Sequence, residues 1–258
     1  MTIIEKIKLN YARKKHETHY QQNRFGNPLI SVRIPTHNRS DLLFGRAIAS
    51  LNLQTYTRFN VVIVGDNCTD DTEKLIKERT NNKVLFRNLP PRSKKELALL
   101  KDPETRWFMG PVRPTNKCTQ LCTGDWVAHI DDDDIWTEEH LFKLLRFAQD
   151  GDYEWVSSGL LRVKNGKQEA VYDENGYGGC QTWLYRKYVA DIFRYNPNCY
   201  KKKWNRVSDV DVAERMKSAG VRMGFLKELT AIILPRPGED TIGLEAYKTY
   251  EHTIRSIC

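Results

Sequence analysis

The run Trp126-Val127-Ala128-His129-Ile130 leads without a spacer into Asp131-Asp132-Asp133-Asp134. Five largely apolar residues of this kind read as a buried strand, so four carboxylates stand where that strand leaves the core. In an open parallel sheet, ligands bind in the crevice beyond the carboxyl ends of the strands. Carboxylates crowded there repel one another unless a cation sits among them. A hard divalent ion with oxygen ligands, Mg²⁺ or Mn²⁺, is the natural occupant, and such ions commonly carry substrate phosphates. The plainer alternative is a solvated acidic loop. The direct join to an apolar strand, in a protein of net charge +8, weighs against it.

The flanking sequence repeats the pattern. Leu29-Ile30-Ser31-Val32-Arg33-Ile34 reads as a strand that ends at Pro35-Thr36-His37-Asn38-Arg39. Ser40 or Asp41 then opens a helix carrying Leu42, Leu43, Ala47, Ile48 and Leu51. A second strand, Phe59 to Val64, ends at Gly65-Asp66-Asn67-Cys68-Thr69-Asp70-Asp71-Thr72, where the next helix begins; Val84-Leu85-Phe86 is a third. Strand, helix, strand, helix, strand predicts a parallel sheet with right-handed crossovers. Three strands therefore end in polar tips at Thr36–Arg39, Asp66–Asp71 and Asp131–Asp134, and in a parallel sheet all three share one edge. Thr137, with Glu138 and Glu139 behind it, caps a helix with Leu141, Leu144, Leu145 and Phe147 on one face.

The 88–115 stretch carries five prolines and reads as a long irregular connection with one helix-like segment, Ser93 to Leu100. After Gly151 the pattern becomes mixed. A hairpin turns at Asn165-Gly166, and later segments read as a helix from Val210 to Lys217 and separate strands at Val221–Leu226 and Thr230–Leu234. Residues 1–27 form a basic helix with an extended exit, Ile3, Ile4, Ile7 and Tyr11 recurring at helical spacing. Such a helix packs on the domain with its charges in water, or lies on a membrane surface.

A hydrophobic content of 40% supports a folded core, and the positive charge favours anionic partners without choosing among them. The six cysteines lack CxxC spacing, which fits reduced thiols and a cytoplasmic location, with membrane association left open.

The series Ile34 to Arg39, Ser50-Leu51 with Gln54-Thr55, Val61 to Thr72, and Gly124 to Asp134 resembles the family-2 glycosyltransferases, in order and over residues 28–145. The resemblance implies the GT-A fold, a Rossmann-like α/β architecture: a mostly parallel sheet flanked by helices, with a mixed acceptor-side half. It implies one domain over 28–258 behind the 1–27 extension, with 28–150 binding the nucleotide sugar, 151–234 facing the acceptor and 235–258 a tail or lid. It further implies an inverting, metal-dependent transfer from a nucleotide-diphosphate sugar, a UDP-sugar being the expected donor, to a hydroxyl of a glycan, lipid-linked or protein acceptor, with no nucleic acid as partner.

By position, Pro35, Thr36, His37 and Arg39 would line the nucleotide pocket, and Asp66 would hydrogen-bond the base. Asp131, Asp132 and Asp133 resemble the family's DXD element, Asp133 binding the metal with Asp131 beside it and Asp132 or Asp131 nearer the ribose. Where relatives often carry Ala-Arg-Asn, this chain has Pro114-Thr115-Asn116, so the arginine is missing; Arg113 or Lys117 would serve the phosphates instead, and Arg236 could close over them. Ser208-Asp209-Val210-Asp211 resembles the segment that holds the catalytic base, with Ser in place of Glu. Asp209 is the expected base and Asp211 the second choice, although a helix cap would explain both. Trp183 and Trp204 would stack on the acceptor sugar, or pack in the core. Two readings from other classes remain: a nucleotidyltransferase of similar build, which would be expected to carry a glycine-rich loop after the first strand, and a basic binding module, which gives no reason for the acids.

Overall fold

The computed structural model describes residues 2–100, 102–173, 177–203 and 207–249. Helix α1 (Thr2–Gln22) precedes β1 (Ile30–Thr36). The helical run α2 consists of Ser40–Leu42, a π-helical Leu43–Ile48 and Ala49–Asn52. Then come β2 (Phe59–Gly65), α3 (Thr72–Arg79) and β3 (Val84–Asn88). Helices α4 (Lys94–Leu99), α5 (Pro103–Met109) and α6 (Val112–Leu121) lead to β4 (Trp126–His129). The second half holds β5 (Asp134–Trp136), α7 (His140–Asp150), β6 (Trp155–Lys164), β7 (Lys167–Val171) and β8 (Leu184–Arg186). It continues with α8 (Lys187–Ile192), α9 (Ser208–Ala219) and β9 (Met223–Ile233). Residues 243–249 are helical.

The strands form one sheet in the order β3-β2-β1-β4-β8-β6-β9-β5, with β7 paired to β6. β1 lies parallel between β2 and β4, with Ile30 opposite both Phe59 and Trp126. All seven residues of β1 are buried, which is why the strand reads as a β-branched run rather than an alternating one. Gly124 admits the chain to this position: a Cβ there would lie 2.6 Å from the Leu29 carbonyl oxygen and 2.7 Å from the Ser31 nitrogen. Beyond β4 the sheet is mixed. β8 runs antiparallel to β4 and to β6, β9 runs parallel to β6, and β5 closes the far edge antiparallel to β9. The hairpin turn uses left-handed conformations at Asn165 and Gly166, as Asn-Gly turns do.

Several local expectations give way. The two strands expected over 221–234 are one strand, β9, whose register shifts opposite Ser158, Gly159 and Leu160; a bulge, not a turn, absorbs the irregular sequence. The proline-rich stretch contains α5, capped by the Asp102 side chain with Pro103 at its first position. Neither Ser40 nor Asp41 caps α2: the Asp70 carboxylate accepts from the Ser40 N–H at 3.0 Å, across from the β2 tip. Thr137 does not cap α7 either; its backbone N–H and its hydroxyl both point to the Thr230 carbonyl.

The phase of α1 is the largest departure. Ile3, Ile4, Ile7 and Tyr11 do not pack on the domain; all four are exposed. The buried side is Glu5, Leu9, Ala12 and Tyr20. Polar anchors set this phase: Glu5 pairs with Arg215, Arg13 with the fully buried Glu154, and His16 stacks on Tyr188.

His140, at the start of α7, has no exposed surface. Its ring stacks on Trp136 at 3.9 Å, and its Nδ1–H donates to Thr230. Burial pushes its pKa down to about 3. A depressed histidine contributes stability that is present above its unfolded pKa, near 6.5, and is lost as pH falls toward the folded value. Urea unfolding of the native protein should therefore weaken progressively from about pH 6.5 down to about 3. A His140→Phe variant should start less stable at neutral pH and show a shallower acid slope; an unchanged slope would assign the acid loss to other groups.

Candidate active site

Because β2, β1 and β4 are parallel neighbours, their polar tips open side by side into one cleft of about 1170 Å³. The tips are tied to one another. The Thr36 hydroxyl donates to Asp132 at 2.7 Å, and His37 Nδ1–H donates to the Asp66 carbonyl at 2.7 Å. Asn38, in the left-handed conformation, accepts from the Thr69 N–H at 2.7 Å.

Asp66 is held by arginines from the irregular stretch. Arg92 Nε donates to its carboxylate at 2.8 Å, and Arg113 Nη1 lies at 3.5 Å. Each arginine also donates to a backbone carbonyl, Gly110 for Arg92 and Pro90 for Arg113. The 88–115 segment thus forms a wall tied to the β2 tip by the Asp66 carboxylate and by the Leu89 N–H on the Gly65 carbonyl at 2.8 Å.

The four acids differ in environment. Asp131 accepts from His129 Nε2 at 3.0 Å, while His129 Nδ1 accepts from Arg33 Nε at 2.9 Å. Accepting at Nδ1 leaves the ring proton on Nε2. Burial opposes the charge on Asp131, but His129 and the arginines more than offset it and hold the carboxyl below the usual range. Asp132 lies between Thr36 and Arg39, whose Nη1 is 3.1 Å away, yet burial and the neighbouring acids raise it to about 6. Asp133 is raised by burial despite Arg39 at 3.4 Å, and Asp134 well above its ordinary value by burial and the other three acids.

This is an oxygen-rich cluster short of positive charge, which suits a hard divalent ion. Asp131 and Asp133 are the carboxylates with exposed surface to offer. His129, Asp131 and the Cys180 sulfur also lie within 4.8 Å of one another. They do not suit a soft metal as held: Nε2 carries a proton, and burial keeps the thiol protonated.

The 208–211 pair separates. Asp209 lines the cleft, its carboxylate accepting from the Val210 N–H at 2.8 Å, and burial followed by the Asp131 charge raises its pKa. Asp211 points away into ion pairs with Lys202 and, on its own helix, with Arg215 Nε at 2.9 Å, and it does not line the cleft.

Other expected residues scatter. Trp183 is 1% exposed, packed edge-on against Trp155 with its indole N–H on the Tyr177 carbonyl, so core packing, not sugar stacking, is its place. Lys117 binds Gln120 on α6 and does not line the cleft. Asn116 clamps the Tyr195 backbone from both sides. Trp204 lies outside the described residues. Arg236 lines the cleft, its guanidinium 5.0 Å from the Tyr247 ring centre, and Tyr247 accepts from Arg39 at 3.1 Å.

Residues that sequence reasoning missed are Arg92, Tyr247, Arg33, His129 and Arg46. Arg46 joins the acidic turn to the end of β9, donating to the Asp133 and Leu234 carbonyls at 2.9 and 3.1 Å. Arg33 and His129 did leave a signal, charged or titratable residues inside buried strands. The others act across the fold and leave none.

The profile described as glycosyl transferase family 2 matches residues 31–199, and the chain belongs to that family. Over 128 residues it is 30% identical to WcaA of Escherichia coli (strain K12), a glycosyl transferase named for colanic acid biosynthesis; the match takes in 48% of this chain and 39% of that relative. The chain thus spans less than half the length of that relative. Among solved structures, S. aureus TarS 1–349 in complex with UDP-GlcNAc superposes with a TM-score of 0.61 at 20% identity, covering 82% of this chain and 60% of that one. The mannosyltransferase PcManGT from Pyrobaculum calidifontis, in complex with GDP-Man and Mn²⁺, gives 0.59 at 14%, covering 92% and 70%. These likenesses show the fold, the α/β GT-A architecture.

Arg92→Met would leave the nearly buried Asp66 with only its longer pair and should cost about 1–3 kcal/mol in urea unfolding. Arg113→Met, removing the longer and more exposed contact, should cost less than about 1 kcal/mol. The reverse order would mean that Arg92 does not anchor the wall.

Proposed function

We propose that the protein is an inverting glycosyltransferase that moves a sugar from a nucleotide-diphosphate donor, UDP-linked, to an acceptor hydroxyl. The observation that carries this reading is the single cleft that holds Thr36, Asp66, the acidic turn and Asp209 together. The family membership and the UDP-GlcNAc bound by the TarS neighbour support the donor class.

In this reading Asp66 and Thr36 bind the nucleoside, and Asp131 and Asp133 hold a Mn²⁺ or Mg²⁺ ion. When bound, that ion neutralises charge on the leaving diphosphate. Arg236, paired with Glu239 at 2.9 Å, lies close enough to favour the charge on Asp133 and would face the diphosphate from the same side. Asp209 takes the proton of the acceptor hydroxyl as it attacks the sugar carbon from the opposite face. Burial raises its pKa, which makes its carboxylate a stronger base than an exposed one. In this reading Asp211, occupied by Arg215 and Lys202, is left a structural role. The acceptor is a hydroxyl compound whose wall is made by the second half of the chain.

Incubation with Mn²⁺ and a panel of nucleotide sugars should release nucleoside diphosphate in an acceptor-dependent way. Pyrophosphate release from a nucleoside triphosphate, with no diphosphate from any sugar donor, would replace this reading with nucleotidyl transfer. Asp133→Ala should lose metal-dependent nucleotide binding by calorimetry. Asp209→Asn should keep that binding and lose about 10²–10⁴-fold in kcat, whereas Asp211→Asn should chiefly lower stability. Normal transfer by Asp209→Asn would place the base elsewhere.

A further inference from the structure

Helix α1 turns an apolar stripe to solvent although the domain offers it a packing surface. Ile3, Ile7 and Tyr11 recur every fourth residue with Ile4 beside them, at 77%, 63%, 70% and 61% exposure. The stripe is not a frayed end. The opposite side of the same helix is fixed by Leu9, by the Glu5–Arg215 pair, and by Arg13 on Glu154 at 2.6 Å and on the Gly220 carbonyl at 2.6 Å. The ion pairs lock the rotation of the helix, so its isoleucines stay outward. Contiguous exposed apolar surface of this kind marks a contact site.

The residues around the stripe identify what it meets. Lys6 and Lys8 flank its first turns, and Lys14 and Lys15 continue its line; all four are exposed. The helix's two acids are Glu5, buried against Arg215, and the exposed Glu17. A second copy of the chain, meeting this stripe by two-fold symmetry, would bring the lysines face to face. An anionic lipid surface accepts both parts: the isoleucines enter at headgroup depth and the lysines meet the lipid phosphates. We infer that α1 docks the protein on anionic membrane surfaces, the helix lying in the interface with Ile3, Ile4, Ile7 and Tyr11 buried in it. No described helix is long and apolar enough to cross a membrane, and this docking requires none. It stands independently of the sugar-transfer reading.

The test is co-sedimentation of the full chain with vesicles of phosphatidylcholine alone and of phosphatidylcholine with phosphatidylglycerol. The protein should bind the anionic vesicles and not the neutral ones, with binding weakened by salt. Ile3→Glu/Ile7→Glu should reduce the partition coefficient at least about tenfold, and Lys6→Gln/Lys8→Gln/Lys14→Gln/Lys15→Gln should reduce it and flatten the salt dependence. Circular dichroism and thermal melts of the variants should match the native protein, because none of these side chains is buried. Absence of binding to anionic vesicles, or equal binding by the Ile3→Glu/Ile7→Glu variant, overturns the inference. So does a native dimer in light scattering that this variant converts to monomer, which would make the stripe a contact between copies.

Discussion

The site depends on the parallel ladder that seats β1 between β2 and β4. Both faces of β1 are buried, so its register cannot slip without driving an apolar set into the wrong layer. With the register fixed, three chain segments distant in sequence end within reach of one another. The Thr36–Asp132, His37–Asp66 and Asn38–Thr69 bonds then lace the tips. The carboxylates are therefore presented by backbone that has little freedom to rearrange, and such support is what a binding site on strand ends requires.

Arg33 introduces a charge into the middle of that ladder. Its side chain is among the largest fully buried ones, and its hydrogen bonds go to His129, the Thr119 hydroxyl and the Tyr195 hydroxyl. The rings of Tyr185 and Tyr195 lie 5.3 and 5.2 Å from the guanidinium carbon. Among the described residues no carboxylate pairs with it directly, and such a guanidinium is costly to bury. Here the π faces offset part of that cost, and the imidazole of His129 passes the polarity on to Asp131. Asp131 is accordingly held ionised, while burial and mutual repulsion push its three neighbours the other way. Of four consecutive residues of one type, the first is thus pushed toward the ionised form and the other three away from it.

Much of this half was legible in the sequence, because β-branched runs with polar ends report strands buried on both faces. The far half was less so. An aromatic residue such as Trp183 packs in a core or faces a sugar with the same local pattern, and its neighbours Trp155 and Tyr177 decide the matter. Asp209 and Asp211 both suit the first turn of a helix; only the positions of Arg215 and Lys202 separate them. For α1, periodicity found the apolar stripe but not its direction, since ion pairs to residues more than a hundred positions away set the rotation. Arg46 and Tyr247 act through contacts 87 to 208 positions away and Arg92 through Asp66, 26 positions away, which no local spacing encodes.

Arg39 stands between Asp132 and Asp133 and also reaches Tyr247. It is a resident counter-ion, supplied by the chain itself. It relieves the acids only in part, since Asp132 and Asp133 stay raised beside it; a divalent ion held at this turn, as proposed, would have to compete with it. What such an ion would gain from the carboxylates would be reduced by what the guanidinium gives up, so its affinity would report a difference between two cations.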